Sequence, residues 1–341
     1  MVVGGSRRYM ETRKVQVTGG STYTVSLPKE WATDNDVSAG SVVEFHSESD
    51  LLLLSPQREE DRIEGSMDIT GVEEEHELTR AVMTMYVSGF DVIRLETARI
   101  TATQRRVIRD ATQGLVGLEV IEETSDRVVL QDLLDSSELS VHNAITRMRL
   151  VSLTMLSDAI EALVTDDDEL AHDVKERDDD VDRLWYMVSR VFRTVLRNPT
   201  AANEIGFPRE TCFDFQSSAR QLERIADHAT KIADLALEVD DIPESAAEPL
   251  RSLQEHACQV PETAMDALLT DDSEEATKLA NDARSQIRDV DDRVRDVDKE
   301  IRELDPQLAQ VLGLVVDSLS RTADYGGNIA ESALQKAAPS P

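Results

Sequence analysis

Apolar and polar residues alternate through the first part of the chain, and this period of two is typical of β-strands. A Gly19-Gly20 pair separates two such segments and predicts a hairpin turn. Pro28-Lys29-Glu30 has Pro early and an acid in the first turn, which predicts a short helix start. The pattern over residues 13–55 therefore predicts a β-β-α-β-β unit, with strands at 15–17, 23–27, 42–45 and 51–54.

The next segments alternate between strand and helix periodicity. Residues 56–64 are polar and charged and predict a linker. The following pattern predicts a small open α/β domain, with strands Ser66–Thr70, Asp91–Leu95, Leu118–Glu122 and Arg127–Gln131 and helices Glu73–Tyr86 and Thr101–Gln113. Arg105, Arg106 and Arg109 form a basic patch on the second helix, which we interpret as a solvated face.

The C-terminal half has helical periodicity and contains an internal duplication. Residues 222–234 and 319–331 share leucine, arginine, alanine, aspartate and isoleucine at matched places, and residues 159–167 match 264–272. Asn198-Pro199 and Asp305-Pro306 interrupt the two copies. Each copy therefore predicts a three-helix bundle. The predicted domains are 1–58, 62–136, 140–240 and 245–341.

Composition adds a strong acidic bias. The chain of 341 residues has 36 basic and 68 acidic residues and a net charge of −32, and only seven of its bases are Lys. Such a surface keeps a protein soluble and is typical of a cytoplasm of very high salt. The sequence has no apolar signal-peptide core and no apolar run of membrane-spanning length, so we expect a cytoplasmic protein. Cys212 and Cys258 predict free thiols.

The first 29 residues reverse this charge bias. They contain a single acid, Glu11, and five bases: Arg7, Arg8, Arg13, Lys14 and Lys29. A basic leader on an acidic protein suggests an anionic partner.

Acidic residues of the duplicated half are candidate metal ligands. Glu223, Asp227 and Asp234 share one side of the first motif helix, and Asp178 and Asp182 are spaced i, i+4 on its neighbour. The second copy offers Asp324 and Glu331 with Asp292 and Asp296, while Asp289, Asp291 and Asp298 are alternatives. Ser320 replaces the matched Glu223, so we expect a weaker second site. Oxygen-rich clusters suit divalent cations or iron, whereas the alternative is a solvated acidic face.

Two family resemblances follow from these motifs. Residues 14–21, 25–31 and 40–44 resemble the swapped-hairpin AbrB/SpoVT/MazE domains. This resemblance implies a dimeric DNA-binding domain with roles for Arg13, Lys14 and Lys29. The C-terminal half resembles PhoU through the acid pairs at 178–182 and 223–227 and the segment 324–331. This second resemblance implies two three-helix bundles, surface metal clusters and a role in phosphate homeostasis.

The sequence therefore predicts a phosphate-responsive regulator that binds DNA and dimerises through its N-terminal domain. The alternative is an adaptor that acts on a phosphate transporter ATPase or a signalling kinase, with an N-terminal domain that only dimerises. Glu73-x-x-His76 and Glu169-x-x-His172 have di-iron spacing but fall in different domains. Since no activated nucleophile or nucleotide-binding loop occurs, we expect neither an enzyme nor an organic cofactor.

Overall fold

The computed structural model describes residues 11–48, 51–57, 62–72, 74–134, 140–198, 201–202, 205–239 and 242–339. The chain divides into two compact units, residues 1–61 and 62–341. Arg7, Arg8, Glu73 and the break at Pro199 lie outside the described residues.

The first unit has the predicted β-β-α-β-β order. Its elements are β1 (Gln16–Thr18), β2 (Thr22–Thr24), α1 (Lys29–Asp34), β3 (Val43–Glu48) and β4 (Leu51–Pro56). Strands β1 and β2 pair antiparallel through a turn in which Gly19 and Gly20 have positive φ angles of 65° and 82°. Glycine adopts such angles without the steric cost of a Cβ atom, which explains the pair. Within 11–48 and 51–57, no residue whose exposure is described is buried.

An α/β domain opens the second unit. Its elements are β5 (Glu64–Asp68), α2 (Glu75–Val87), β6 (Val92–Glu96), α3 (Ala102–Gln113), β7 (Leu118–Glu123) and β8 (Arg127–Asp132). The sheet order is β5-β6-β8-β7, with β5 and β6 parallel and the other pairs antiparallel. Apolar residues of α2 and α3 cover the central strands, so this domain has its own core.

Two details of this domain differ from the sequence prediction. Strand β5 ends at Asp68 instead of Thr70, because the Asp68 carboxylate accepts the Thr70 backbone N–H (2.8 Å) and Gly71 turns the chain at φ 78°. The basic patch on α3 is also less open than expected, since Arg105 and Arg109 both pair with Glu123.

Six long helices form the rest of the second unit. They are α4 (Val141–Thr165), α5 (Asp168–Arg197) and α6 (Arg209–Ala236), then α7 (Glu244–Leu269), α8 (Ser273–Ile301) and α9 (Pro306–Ala337). Asp167 and Asp272 cap α5 and α8 at the predicted boundaries. The duplicated sequence therefore folds as two three-helix bundles, and a single apolar core runs through both.

Equivalent helices of the two bundles contact each other. His228 of α6 and Tyr325 of α9 occupy the same place in the repeat, 97 residues apart, and their Nε2 and Oη atoms lie 3.2 Å apart. Arg149 also pairs with Asp266 and Arg251 with Glu161, which joins α4 to α7.

No helix in the described part of the chain is both long and apolar enough to span a membrane. The molecule therefore combines a small antiparallel β-strand unit, an α/β domain and an all-α double bundle, as the sequence predicted.

Candidate functional site

The first bundle brings four of the predicted metal ligands together at the α5–α6 contact. Asp178 and Asp182 come from α5, Glu223 and Asp227 from α6, and we call these four the carboxylate cluster. In both helices the two acids are four residues apart, so they share a face. Glu223 is buried and Asp227 is exposed, which places the cluster at the rim of the core.

Burial and mutual repulsion disfavour the charged forms of these acids. Burial raises the pKa of Asp178 and of Asp182 to about 6, and the negative charge of Asp227 acts in the same direction on both. Burial, followed by the charge of Asp227, raises the pKa of Glu223 to about 7. Near neutral pH the cluster therefore favours a proton or a cation.

Arg220 is the base that contacts the cluster. Its Nη1 donates to Glu223 Oε1 (2.6 Å), and its guanidinium lies over the Trp185 ring, 5.3 Å from the centroid. Lys231, four residues after Asp227 on the same helix, has no such bond to the cluster among the described contacts. In the sequence, the i, i+3 spacing of Arg220 and Glu223 is the feature that could have predicted this ion pair.

A second neighbour of the cluster is Tyr186, which sequence reasoning missed. Burial, and then the negative charge of Asp182, raises the pKa of the Tyr186 phenol, which therefore stays protonated near neutral pH. Within the described ranges, the buried Glu223 Oε2 has no hydrogen-bond partner. An unsatisfied buried carboxylate oxygen is costly and marks a place for a proton or a cation.

The oxygen donors of the cluster suit a hard divalent cation, although their arrangement is not that of an assembled site. No group of three or more His, Cys, Asp or Glu side chains in the described structure is arranged to hold a metal ion. Metal binding here stays a prediction.

The other predicted metal ligands do not join the cluster. Each has an ion pair of its own: Asp234 with Lys175, Asp292 with Arg295, Asp296 with Lys299, Asp324 with Arg321, and Glu331 with Arg284. All five are exposed. The second bundle therefore places its candidate acids on a solvated surface.

Two histidines of di-iron spacing lie apart from the cluster. His76 belongs to α2, where it pairs with Glu74, and His172 is an exposed residue of α5. They belong to different domains, as expected.

The candidate DNA-binding residues lie on the first unit. Arg13 pairs with Glu11 just before β1, while Lys14 and Lys29 are exposed. The β1–β2 hairpin presents Val15, Val17, Tyr23 and Val25 to solvent, with exposures from 49% to 77%. Apolar strands exposed to this extent are typical of an interaction surface.

Comparison with known families finds matches to two segments of the chain. The PhoU domain model matches residues 145–236, which hold α4, α5 and α6 with the whole carboxylate cluster. The model described as antidote-toxin recognition MazE, bacterial antitoxin, matches residues 16–62. The chain thus joins an N-terminal MazE/AbrB-like domain to a PhoU domain.

One solved structure extends the likeness of fold beyond the first bundle. The crystal structure of PhoU from Pseudomonas aeruginosa is 24% identical, with a TM-score of 0.50, over 58% of this chain and 96% of that one. The phosphate transport system regulatory protein PhoU from Streptococcus pneumoniae is 20% identical, with a TM-score of 0.46, over 57% of this chain and 91% of that one. The Pseudomonas aeruginosa structure, at 24% identity, supports the fold alone. No curated protein matches the chain.

Proposed function

We propose that this protein is a PhoU-type regulator of phosphate homeostasis that binds DNA as a dimer through its N-terminal domain. The PhoU domain supports the regulatory part of this proposal, and the MazE/AbrB-like domain supports the DNA-binding part. The basic segment 1–29 of an otherwise acidic chain gives the DNA backbone a region to approach.

The observation that carries the proposal is the open apolar surface of the first unit. Val17 lies directly opposite Tyr23 in the hairpin, and both side chains are more than 60% exposed. Phe45, Leu51 and Leu52 of the second hairpin are also exposed. Since a unit of about 45 residues buries too little surface to be stable alone, a second copy is the partner that matches these strands.

The DNA-binding part is tested by removing the bases of the first unit. The triple substitution Arg13→Ala, Lys14→Ala and Lys29→Ala should abolish binding to duplex fragments selected by the wild-type protein at native salt. At lower salt, where some binding persists, the slope of log affinity against log salt concentration should become shallower by about 0.9 for each lost phosphate contact.

A matched control removes three exposed bases from the second unit: Arg80→Ala, Arg99→Ala and Lys278→Ala. It changes net charge equally and should bind DNA like the wild type. Equal affinity of the first-unit triple variant and the wild type in gel shift would reject the DNA-binding role.

The charge of the first unit gives an adaptor role specific support. Residues 11–48 contain six acids and three bases, so this described part of the first unit is itself acidic. In this second candidate function, the N-terminal domain only dimerises, and the helical bundles contact a transporter ATPase or a signalling kinase. Unchanged DNA affinity in the triple variant, with the dimer intact, would favour it.

We further propose that the carboxylate cluster binds a hard divalent cation, with Asp178, Asp182, Glu223 and Asp227 as ligands. Four carboxylates at a partly buried contact repel each other without a counter-ion. The unpaired Glu223 Oε2 and the raised pKa of Glu223 support this proposal. A cation that binds only the folded state would raise the melting temperature.

Trp185 offers a direct reporter for cation binding. The chain has two tryptophans, so Trp31→Phe leaves Trp185 alone beside Arg220 and the cluster. Mn²⁺ should quench Trp185 fluorescence and raise the melting temperature by several degrees, since 100-fold excess over Kd adds about 2.7 kcal/mol. Both effects should disappear with Glu223→Gln and Asp227→Asn.

The control for this experiment is the double substitution Asp292→Asn and Asp296→Asn. It removes two exposed acids of the second bundle and should leave the Mn²⁺ response unchanged. Loss of the response in both double variants, or no response in the wild type, would reject the cation site.

A further inference from the structure

Residues 183–213 reverse the acidic bias of the chain and are rich in aromatic side chains. This stretch covers the second half of α5 and the first residues of α6, and it contains five arginines and two acids. Aromatic residues make up 4% of the whole sequence, yet five of them lie here. Protein–protein interfaces are enriched in aromatic residues and Arg and depleted in Asp and Glu. The composition therefore indicates a contact surface, which neither the DNA-binding role nor the cation site explains.

Side chains of this stretch line a groove between α5 and α6. The Phe192 and Phe213 rings contact each other across the two helices, with their centroids 5.9 Å apart. Seven residues away on each helix, Trp185 and Arg220 make the equivalent contact, with the guanidinium carbon 5.3 Å from the ring centroid. The helices therefore run antiparallel, and these two contacts lie about 10 Å apart along the groove.

The apolar side chains of the groove are open to solvent. Leu196 is 54% and Phe213 is 51% exposed, while Trp185 and Phe192 are half-buried. Among the residues of the second unit whose burial is described, Phe213 is the only exposed aromatic side chain. Trp185, Phe192 and Leu196 are spaced i, i+7 and i+11, so they follow one side of α5. An exposed apolar row of this length is typical of a surface that receives a helix.

Two arginines follow Phe192 and Leu196 directly and border the groove. Arg193 and Arg197 are both exposed. Arg197 donates to the Ser88 carbonyl oxygen, whereas Arg193 has no hydrogen bond or ion pair among the described contacts. Neither charge meets an acid in the part of the chain that the structure describes, although the chain has 68 acids for 36 bases. We call the six side chains of Trp185, Phe192, Arg193, Leu196, Arg197 and Phe213 the arginine–aromatic patch.

The neighbouring side of α5 is already covered within the chain. Tyr186 packs against the core of the α/β domain, and the buried Arg190 donates to the carbonyl oxygens of Tyr86 and Phe90 at 2.8 and 2.9 Å. These contacts hold α5 in place. The arginine–aromatic patch is therefore a pre-formed surface, which lowers the entropy cost of binding a partner.

Charge complementarity selects the occupant of the patch. An acidic amphipathic helix can place apolar side chains in the groove and carboxylates on Arg193 and Arg197. DNA or an anionic membrane would also face the carboxylate cluster on the same two helices, which repels phosphate groups. A second copy that bound through the same patch would bring Arg193 against Arg193.

We propose that the arginine–aromatic patch binds an acidic amphipathic helix of another protein. Phe213 and Leu196 are the apolar anchors, and Arg193 and Arg197 pair with carboxylates of the bound helix. This inference goes beyond the function proposed above and depends on neither DNA binding nor the cation site. The patch lies entirely within the second unit, so its binding can be measured independently of the N-terminal unit.

A model peptide tests this proposal on the full chain. The probe is a synthetic stapled helix with leucines at i, i+4, i+7 and i+11 and glutamates elsewhere, and its control is a scrambled peptide of the same composition. Trp185 reports binding in the chelator-treated Trp31→Phe variant, because a docked helix covers the indole. We expect its emission to shift to shorter wavelength with the amphipathic peptide and to stay unchanged with the scrambled one.

Two substitutions separate the apolar and charged parts of the patch. Phe213→Ala should weaken peptide binding by about 30-fold, the loss typical of a central aromatic anchor. Arg193→Glu should weaken it by about tenfold and reduce its salt dependence. The matched controls Leu150→Ala on α4 and Arg80→Glu on α2 change exposed residues outside the patch and should bind the peptide like the wild type.

Equal affinity for the two peptides, or unchanged affinity in Phe213→Ala or Arg193→Glu, would overturn the proposal. A change in the mass of the full chain on Phe213→Ala, measured by light scattering, would instead identify a second copy as the occupant. Binding of duplex DNA or of anionic lipid vesicles that is tighter than peptide binding and lost in Phe213→Ala would identify a phosphate-bearing ligand and would also reject the acidic helix.

Discussion

Gly326 shows how closely the second bundle is packed at a single residue. It lies in α9 against α7, and a Cβ built there would be 2.5 Å from the Pro261 nitrogen and 2.8 Å from Val260 Cγ1. The repeat places Ala229 at the matched position of the first bundle. The need for glycine was therefore invisible in the sequence, because it depends on the neighbouring helix and not on α9 itself.

Substitution of this glycine should be costly. Gly326→Ala forces backbone atoms apart, and we expect it to lower the free energy of unfolding by about 1–3 kcal/mol. Gly313→Ala, in the same helix with no atom within 4 Å of the added Cβ, should instead raise it by about 0.5–1 kcal/mol through helix propensity. Guanidinium unfolding midpoints measure both, and similar midpoints for the two variants would contradict this packing.

At the scale of elements, the carboxylate cluster was partly predictable. The i, i+4 spacing of acids on two helices placed Asp178, Asp182, Glu223 and Asp227 together, because helical periodicity fixes which residues share a face. The same reasoning also grouped Asp234, which the structure pairs with Lys175. The contacts of Tyr186 and Arg190 with the α/β domain depend on how domains dock, and no local pattern encodes them.

The raised pKa values of the cluster predict how stability depends on pH. Folded-state pKa values of about 6 to 7 exceed the unfolded values near 4, so the folded protein holds more protons between these limits. The contribution of the cluster to stability is therefore lost as pH rises from about 4 to about 7 in metal-free protein. Glu223→Gln should stabilise the metal-free protein at pH 7.5, by on the order of 1–2 kcal/mol after screening, and have little effect at pH 4.

Denaturant unfolding of chelator-treated protein at the two pH values measures this difference. Glu255→Gln, at an exposed glutamate of α7, is the control and should shift stability little at either pH. If Glu223→Gln destabilises the protein equally at both pH values, the interpretation of repulsion within the cluster is wrong.

At the scale of the whole molecule, the duplication was the strongest sequence signal. It predicted two three-helix bundles because matched helices bury matched apolar faces. It did not predict that His228 meets Tyr325, since the way two copies face each other is set by the surfaces left over after each bundle folds. The N-terminal unit has the opposite limitation. Its strands were predictable, but their apolar side chains stay exposed in the single chain.

Dimerisation through the N-terminal unit is the prediction at this scale. The full chain should have about twice its single-chain mass of 37.9 kDa by light scattering in high salt. Val17→Asp with Tyr23→Asp places two charges on the apolar face of the hairpin, and burying them against a second copy would cost several kcal/mol. This variant should be a monomer and lose DNA affinity with the second set of contacts. Leu150→Asp with Leu196→Asp, at exposed leucines of the second unit, should remain dimeric. A wild-type monomer, or a dimer that survives the hairpin substitutions, would show that these strands are not the interface.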